Sequence, residues 1–461
     1  MKSFLLLCSL LCLTVSSFAQ LSPAITAWLQ NTTETGSYYV QGNSTPIDNG
    51  ILYNCQQIEY STDFVYVTTN GIPAYPTGPF LDGNPSQATS QNAIFQIPLN
   101  PQPNTGTPDP TTPGNIGIFI NGVALFDYRD GVAWDPSANS ICGGPGNPAC
   151  PGGPGSTQDW NRDAIPAEME GFDCSKAHPA MGNYHHHQNP SAFKLDLDVV
   201  STICNLYDAD GLYAIDSTQH SPLIGFAYDG YPIYGAYGYA NSDGSGGIVR
   251  IKSGYSLRDI TTRTNGPDVD AQITLTRPNG STYTETIFLG YFREDYEYID
   301  RPGEDDYLDE HNGRFCVTPE YPNGTYAYFA TVDENWNSAY PYAVGPTFYG
   351  SASNRSVNSI NEPTTVYNPT TSISEEEFSK LDITVFPNPA SDLLAIQIND
   401  LVSEDFTVEL LDINGRLVRK TTIKRGSTIA YFDTESIYSG AYLVRISSQN
   451  QSVSKKVIVT K

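Results

Sequence analysis

The chain has few positive charges and few histidines for its length. Its 461 residues include 24 Lys or Arg against 50 Asp or Glu, which gives a formal net charge of -26. So acidic a surface repels phosphate backbones and anionic headgroups, which argues against nucleic acid or an anionic membrane as a partner. With six histidines in the whole chain, several of them in one short stretch are a strong local signal.

Long apolar runs are also scarce. Lys2 is followed by an apolar segment and then by small residues up to Ala19, which is the pattern of a secretory signal peptide. We therefore expect residues 1–19 to direct export and to be removed. No later stretch has the length that predicts a transmembrane helix, so we expect no transmembrane span in the mature chain.

No long stretch keeps a helical period. Short runs instead alternate between polar and apolar residues and end in turn residues, as Phe64–Thr68 does, and Ile116–Phe126 is typical of a hairpin. The pattern predicts a mostly β protein in which residues 20–350 form one large β-rich domain. We expect the strand at Phe64–Thr68 to join the main sheet of that domain.

The composition changes again toward the C-terminus. Residues 351–380 are rich in Ser, Asn, Thr and Pro, which predicts a flexible linker. Residues 381–461 alternate strongly, with Asn414-Gly415 as a hairpin turn. This last stretch predicts a small immunoglobulin-like β-sandwich.

Six of the eight cysteines lie outside the expected signal peptide. An even number of cysteines in an exported chain favours disulfides over free thiols. Cys142 and Cys150 bracket a Gly/Pro-rich loop and are the first pair we expect, and Cys174 with Cys204 is the second. Two of the six could instead be metal ligands, and the sequence leaves that alternative open.

Half of the histidines lie in the stretch Tyr184-His185-His186-His187. Side chains alternate between the faces of a strand, so His185 and His187 project together and His186 points away, exposed or in a supporting role. Neutral imidazole is a preferred ligand of zinc and copper. The pair therefore predicts the start of a metal site.

A zinc or copper site needs about three or four donors. We expect His220 as the third ligand and Asp229 or Glu310 as a carboxylate ligand or a group that orients a ring. His178 and His311 are further candidates. Because His178 precedes a proline, however, we expect it in a turn with its ring bonded to a backbone carbonyl.

Other polar stretches favour simpler interpretations. The acidic run Glu304–Glu310 lacks the ligand spacing of a calcium loop and is typical of a solvated surface. Ser221 follows His220 directly, but adjacency in sequence does not create the geometry of a nucleophile and its base. The sequence therefore identifies no catalytic residue.

The last eighty residues carry a series of motifs, namely Phe386-Pro387-Asn388-Pro389, Asp412–Arg416, Ser439–Val444 and Lys455–Val459. In order, spacing and terminal position these motifs resemble the type A sorting domain of the type IX secretion system. The resemblance implies export from a Bacteroidetes-like cell, contact with the secretion machinery through residues 381–461, and a final location in the medium or on the outer-membrane surface.

A second set of motifs extends from about Asn115 to Gly350. It comprises Asp173-Cys174, Ala177-His178-Pro179, Gly182–His187, His220–Gly225, Tyr228–Gly235, Leu308–Phe315 and Thr318–Tyr326. Together they resemble the YHYH domain, which is named for a Tyr-His-Tyr-His motif. Two departures stand out: His186 replaces the second Tyr, and Tyr326–Phe329 lacks the histidines that many relatives carry there.

Two functional hypotheses follow. The first is a secreted or cell-surface protein with a histidine-based metal site, for which we expect copper before zinc. The site would be centred on His185, His187 and His220 with Asp229 or Glu310. A copper ion with an open coordination position would permit redox chemistry there. The second is a non-enzymatic module that binds a glycan or a surface protein and whose histidines are structural. Converging ring nitrogens would favour the first, and rings that diverge or are capped by backbone carbonyls would favour the second.

Overall fold

The structure is a computed structural model that describes residues 21–43, 45–80, 87–144, 147–190, 211–213, 215–276, 280–352, 356–368, 382–398, 405–412, 416–448 and 451–461. Two short α-helices are present among these residues, α1 (Pro23–Thr26) and α2 (Ala164–Glu168). Short 3₁₀ helices lie at Gly153–Gly155, Met169–Gly171 and Arg293–Asp295.

The remaining regular structure is β, which confirms the predicted fold class. In chain order the strands before residue 369 are β1 (Thr35–Tyr38), β2 (Ile47–Leu52), β3 (Cys55–Tyr60), β4 (Phe64–Thr69), β5 (Ala93–Pro98), β6 (Asn115–Phe119), β7 (Ala124–Phe126), β8 (Arg129–Asp135), β9 (Ser140–Cys142), β10 (Asn161–Asp163), β11 (Ala177–Ala180), β12 (Asn183–His186), β13 (Leu223–Ala227), β14 (Pro232–Tyr234), β15 (Tyr237–Tyr239), β16 (Ile248–Arg250), β17 (Tyr255–Leu257), β18 (Ala271–Thr276), β19 (Thr282–Ile287), β20 (Tyr296–Tyr298), β21 (Gly313–Cys316), β22 (Thr325–Phe329), β23 (Ser356–Val357) and β24 (Thr365–Val366). The C-terminal strands are β25 (Ile383–Phe386), β26 (Leu393–Ile398), β27 (Phe406–Asp412), β28 (Leu417–Ile423), β29 (Ile429–Asp433), β30 (Gly440–Ser448) and β31 (Gln451–Val459).

An eight-stranded mixed sheet organises residues 21–368, which we call the body. Its strand order is β11-β12-β7-β6-β13-β14-β22-β21. Strand β13 is buried along its whole length, as expected for a central strand covered on both faces. The β11–β12 hairpin forms one edge of the sheet and β21 forms the other.

The predicted hairpin at Ile116–Phe126 is confirmed, since β6 and β7 pair in antiparallel fashion. Gly122 in the turn has a φ of +79°, and a Cβ there would lie 2.3 Å from the Thr69 hydroxyl oxygen. Glycine is therefore required for both backbone conformation and space. This turn brings the hairpin against β4 of the neighbouring sheet.

That neighbouring sheet has five strands in the order β23-β5-β4-β3-β24. The strand expected at Phe64–Thr68 is present as β4, but it belongs to this second sheet and not to the main one. Val67 and Phe95 from this sheet share one hydrophobic core with Ile118 and Phe226 of the eight-stranded sheet. Two stacked sheets bury more apolar surface than one extended sheet could, which explains the difference.

Strands β23 and β24 come from the stretch 351–380, which the sequence assigns to a linker. Both are antiparallel edge strands, β23 on β5 and β24 on β3. Smaller sheets complete the body: β1-β2, β10-β8-β9, β15-β16, β17-β20 and β18-β19.

The C-terminal strands form two further sheets, β25-β26-β29 and β28-β27-β30-β31. Their inward side chains, including Leu394, Val408 and Ile446, make a separate hydrophobic core. Alternating buried residues along β27 and β30 match a two-sheet sandwich, in agreement with the predicted β-rich tail.

The predicted disulfide between Cys142 and Cys150 is present. Cys174 is also disulfide-bonded, whereas its expected partner Cys204 lies outside the described residues. Cys55 and Cys316 are buried free thiols.

Candidate metal centre

The β11–β12 hairpin places two histidines side by side at the sheet edge. In its register His178 pairs with His185, and their ring centroids are 4.7 Å apart. The reversal falls at Met181 and Gly182, both with positive φ. His178 thus lies in a strand, which corrects our expectation of a turn; the following proline is tolerated because β11 is an edge strand.

His187 follows the last residue of β12 and turns back toward the hairpin. Its Nε2 lies 3.1 Å from the Nε2 of His185. The two rings therefore converge, as the same-face argument predicts. Together with His178 they form a cluster in which the three ligand atoms lie within 4.8 Å of one another.

Glu168 adds a carboxylate to the three histidines. It is the last residue of α2, which begins where the Asp163 side chain accepts a hydrogen bond from the amide of Ile165. One oxygen, Oε2 of Glu168, lies 3.2 Å from Nε2 of His178 and 3.3 Å from Nε2 of His187. The Glu168 carboxylate therefore lies against two of the three imidazoles of the cluster.

Backbone carbonyls fix the orientation of two of these rings. Nδ1 of His185 lies 2.8 Å from the carbonyl oxygen of Asn183, and Nδ1 of His187 lies 2.7 Å from that of Asp127. A carbonyl oxygen only accepts, so Nδ1 of each ring carries the hydrogen. In the neutral form each Nε2 therefore presents a lone pair, and two such lone pairs 3.1 Å apart repel unless a proton or a cation lies between them.

The protonation states agree with this arrangement. Burial lowers the pKa of His185 well below its usual value, and the neighbouring charges of His187 and His178 lower it further. Burial also opposes the charge on His187, but the hydrogen bond and charge of Glu168 raise its pKa overall. Although burial alone would raise the pKa of Glu168, its bonds to His178 and His187 lower it well below the ordinary value. Without a metal, one proton is thus held mainly between Glu168 and His187.

Aromatic side chains hold the rings in place. Phe126 stacks on His185 with ring centroids 3.7 Å apart, and Phe172 packs edge-on against His178 at 5.0 Å. The three histidines are between 1% and 8% exposed, whereas the Glu168 side chain is 27% exposed. The cluster is preorganised, and Glu168 is its most accessible member.

The donor distances suit a small divalent ion. In a tetrahedral site with bonds of about 2.0–2.1 Å, neighbouring donor atoms lie about 3.3–3.4 Å apart. The three short contacts of 3.1, 3.2 and 3.3 Å are close to this value. The three histidine ligand atoms as a group are spaced more loosely, within 4.8 Å of one another, so a bound ion would draw His178 toward the other two imidazoles.

The other predicted ligands lie elsewhere in the sheet. His220 precedes β13 and Asp229 follows it, so the strand separates them by roughly 14 Å at about 3.4 Å per residue. Glu310 precedes β21, which lies six places from β12 in the strand order of the sheet. Of the five ligands predicted from the sequence, His185 and His187 alone belong to the potential metal-binding group found among the described residues.

Each of these three residues has other contacts. Nδ1 of His220 lies 2.7 Å from the carbonyl oxygen of Ser221. The Asp229 carboxylate accepts hydrogen bonds from the Tyr328 hydroxyl at 2.6 Å and from the Gly350 amide at 2.9 Å. The Glu310 side chain is 57% exposed.

His186 points away from the cluster, as expected, but it is fully buried. Its Nε2 lies 2.9 Å from the Tyr75 hydroxyl, and Phe119 packs edge-on against the ring. Burial lowers its pKa to about 3. His186 therefore anchors the hairpin to the core and is not an exposed residue.

Sequence reasoning missed Glu168 and the position of His178. Glu168 arrives through a five-residue helix that no sequence pattern indicates. For His178 a usable signal was present, because a residue before proline is biased toward extended backbone.

Fold and site together define a β-rich protein with a preorganised histidine–carboxylate cluster and a C-terminal β-sandwich. The family model described as YHYH protein matches residues 94–341, more than half of the chain, and the chain belongs to that family. A second model, the secretion system C-terminal sorting domain, matches residues 384–460. Both matches confirm the resemblances found in the sequence. No curated protein matched the chain.

The sorting domain indicates a secreted or cell-surface protein that engages the type IX secretion system. In the part of the chain that the structure describes, no helix combines the length and the apolar character needed to cross a membrane.

Proposed function

We propose that the protein is an exported metal-binding protein. The ion is held by the Nε2 atoms of His178, His185 and His187 and by the carboxylate of Glu168. The observation that carries the proposal is the 3.1 Å separation of two Nε2 atoms whose Nδ1 atoms are both bonded to backbone carbonyls. A metal ion that displaces the proton held between Glu168 and His187 would bind the lone pairs of both Nε2 atoms.

The donor set suits zinc or copper(II). Imidazole binds both ions well, and the general order of affinities places copper(II) above zinc. A near-tetrahedral set of four protein donors is also typical of a zinc site. We expect copper(II) before zinc because of its higher general affinity. Redox chemistry at a bound copper would require Glu168 to dissociate from the ion and so open a coordination position.

The proposal replaces His220, Asp229 and Glu310 by His178 and Glu168. This change follows from the sheet, which keeps the first three residues apart. Backbone capping, which we associated with structural histidines, affects the Nδ1 atoms of His185 and His187 and leaves the metal-binding Nε2 atoms free.

A second function has one supporting observation. Without a metal, the Glu168 carboxylate is already paired with two imidazoles, since its Oε2 lies 3.2 Å from Nε2 of His178 and 3.3 Å from Nε2 of His187. The histidines would then be structural, and the protein would bind a glycan or a surface protein through another face.

Elemental analysis by mass spectrometry separates these alternatives. We expect near-stoichiometric copper or zinc in the exported chain purified without an affinity histidine tag. The metal should be lost in a folded His185→Ala/His187→Ala variant and retained in the matched control His220→Ala. A wild-type protein that stays metal-free after reconstitution with either ion would sink the metal proposal and favour structural histidines.

A further inference from the structure

The sorting domain contacts the body at two places. At the first, the turn between β28 and β29 lies against the body. The Tyr53 hydroxyl is 3.1 Å from the carbonyl oxygen of Arg425, and the Asn54 side-chain amide donates to the carbonyl oxygen of Gly426. The Thr428 hydroxyl also donates to the carbonyl oxygen of Leu212 at 3.3 Å. These hydrogen bonds are directional, so they define one orientation of the turn.

The second contact lies beside His220. The side-chain amide of Gln219 and the hydroxyl of Thr384 in β25 are hydrogen-bonded at 2.8 Å. Next to this pair is a cavity of about 10 Å³ with walls that include His220 and Asp216 from the body and Phe386 from the sorting domain. That volume is just enough for a single water molecule.

Two buried polar atoms at this cavity have no hydrogen-bond partner among the residues that the structure describes. They are Nε2 of His220 and Oδ2 of Asp216. Buried polar atoms in native interiors are nearly always hydrogen-bonded. The sorting domain therefore covers these two groups without supplying what they need.

Between the two contacts the domains leave a larger cleft that is open to solvent on one side. A cavity of about 380 Å³ is lined by Leu29, Ile120 and Leu223 from the body and by Gln397, Ile398 and Thr428 from the sorting domain. Permanent interfaces are packed as tightly as protein interiors. A cleft of this size beside two unpartnered polar groups favours a surface that associates reversibly.

The tether compensates for this imperfect fit. The sorting domain is joined to the body through residues 369–381, so its local concentration at the body is on the order of millimolar. An interface too weak to hold two free domains together at micromolar concentration stays associated under these conditions.

We propose that the sorting domain is a reversible, tether-dependent cover of the body, which masks His220 and the adjoining apolar surface until the connection is cut. The docking surface on the body comprises Tyr53, Asn54, Leu212, Gln219 and His220, and its partner is residues 382–461 of the same chain. This inference is independent of the proposed metal site, because none of these residues belongs to the histidine–carboxylate cluster.

The test uses the full exported chain with a specific protease site inserted within residues 369–381. Accessibility of His220 is measured by modification with diethyl pyrocarbonate and mass spectrometry, and association by gel filtration at micromolar protein. We expect cleavage to raise the modification rate of His220 at least tenfold and to separate the two fragments. Fully buried His186 is the internal reference and should not change.

Two results would overturn the proposal. Fragments that still elute together at 1 μM would show a permanent interface, and equal modification of His220 before and after cleavage would show that the sorting domain does not cover it.

A pair of matched variants tests the contact without cleavage. Gln219→Arg places a larger charged side chain against Thr384 and should raise His220 modification in the intact chain severalfold. Gln272→Arg makes the same change on β18, at an exposed position remote from the sorting domain, and should have no effect. Unchanged protection in a folded Gln219→Arg variant would contradict the assigned docking surface.

Discussion

Two histidine environments in this protein, one buried at His185 and one partly buried at His220, differ in what faces the free ring nitrogen. His185 and His220 both place Nδ1 against a backbone carbonyl, and burial lowers the pKa of both. At His185 the opposite nitrogen meets two further imidazoles and is part of a cluster that includes Glu168. At His220 it faces a small cavity and has no hydrogen-bond partner within the described part of the chain.

The difference shows that burial and ring orientation alone do not make a metal site. A site needs donors from separate elements to lie close together, and within the described residues the β11–β12 edge, with α2 beside it, is where this occurs. Four measurements can sharpen or break the comparison.

Metal removal should have the largest effect. With free metal at about 1,000 times its Kd, binding to the native state alone adds about 4 kcal/mol to the free energy of unfolding. We expect a chelator to remove this increment from the wild-type protein in urea denaturation. The chelator should lower the free energy of unfolding of His220→Ala by the same amount. It should leave that of the His185→Ala/His187→Ala variant unchanged. A chelator response in the double variant would place the metal elsewhere.

The second prediction concerns acid stability at His220. Burial lowers its pKa to about 4, against about 6.5 in an unfolded chain. Above pH 6.5 the residue is neutral in both states, so it does not affect stability. Below pH 6.5 the unfolded state binds the proton first, and stability falls by about 1.4 kcal/mol per pH unit until about pH 4.

Urea denaturation at pH 7 and pH 5 tests whether stability falls with decreasing pH because of His220. The wild-type protein should lose about 2 kcal/mol more than His220→Gln between these two pH values. The substitution also removes the hydrogen bond to Ser221, which lowers the stability of His220→Gln at both pH values. Comparing the change in stability between the two pH values cancels this constant cost. An equal loss in both proteins would mean that His220 titrates normally and is not buried in solution.

The residues of the site show which features could be predicted from the sequence. Alternation within one strand is a local rule, so the common direction of His185 and His187 was predictable, as were the hairpin at 116–126 and the Cys142–Cys150 disulfide. The family resemblances added the order of the blocks but not their distances in space.

What the sequence could not supply was the arrangement of separate elements. His220 looked like a third ligand because its block belongs to the family pattern, but β7 and β6 lie between β12 and β13 in the sheet. Glu168 reaches the cluster through packing of a short helix. Neither fact has a periodic signal in the sequence.

The third prediction compares two carboxylates. Glu168→Gln removes a charged donor next to His178 and His187, whereas Glu310→Gln changes an exposed residue on the opposite sheet edge. Loss of even an outer partner of a metal ligand costs about 10- to 100-fold in affinity. We expect a loss of at least this size for Glu168→Gln in a competition assay with a chromophoric chelator, and no change for Glu310→Gln. Equal affinities would remove Glu168 from the ligand set.

The smallest effect is expected at the hairpin turn. Met181 is 97% exposed and has a φ of +49°, a conformation that Asn adopts more readily than Met. Met181→Asn should therefore raise the free energy of unfolding by about 0.5–1 kcal/mol, and the β-branched Met181→Ile should lower it. Because the β11–β12 register is held by strand pairing and by the buried histidines, metal affinity should stay the same in both variants. A change in affinity would show that the turn, and not the strand register, sets the distance between His178 and His185.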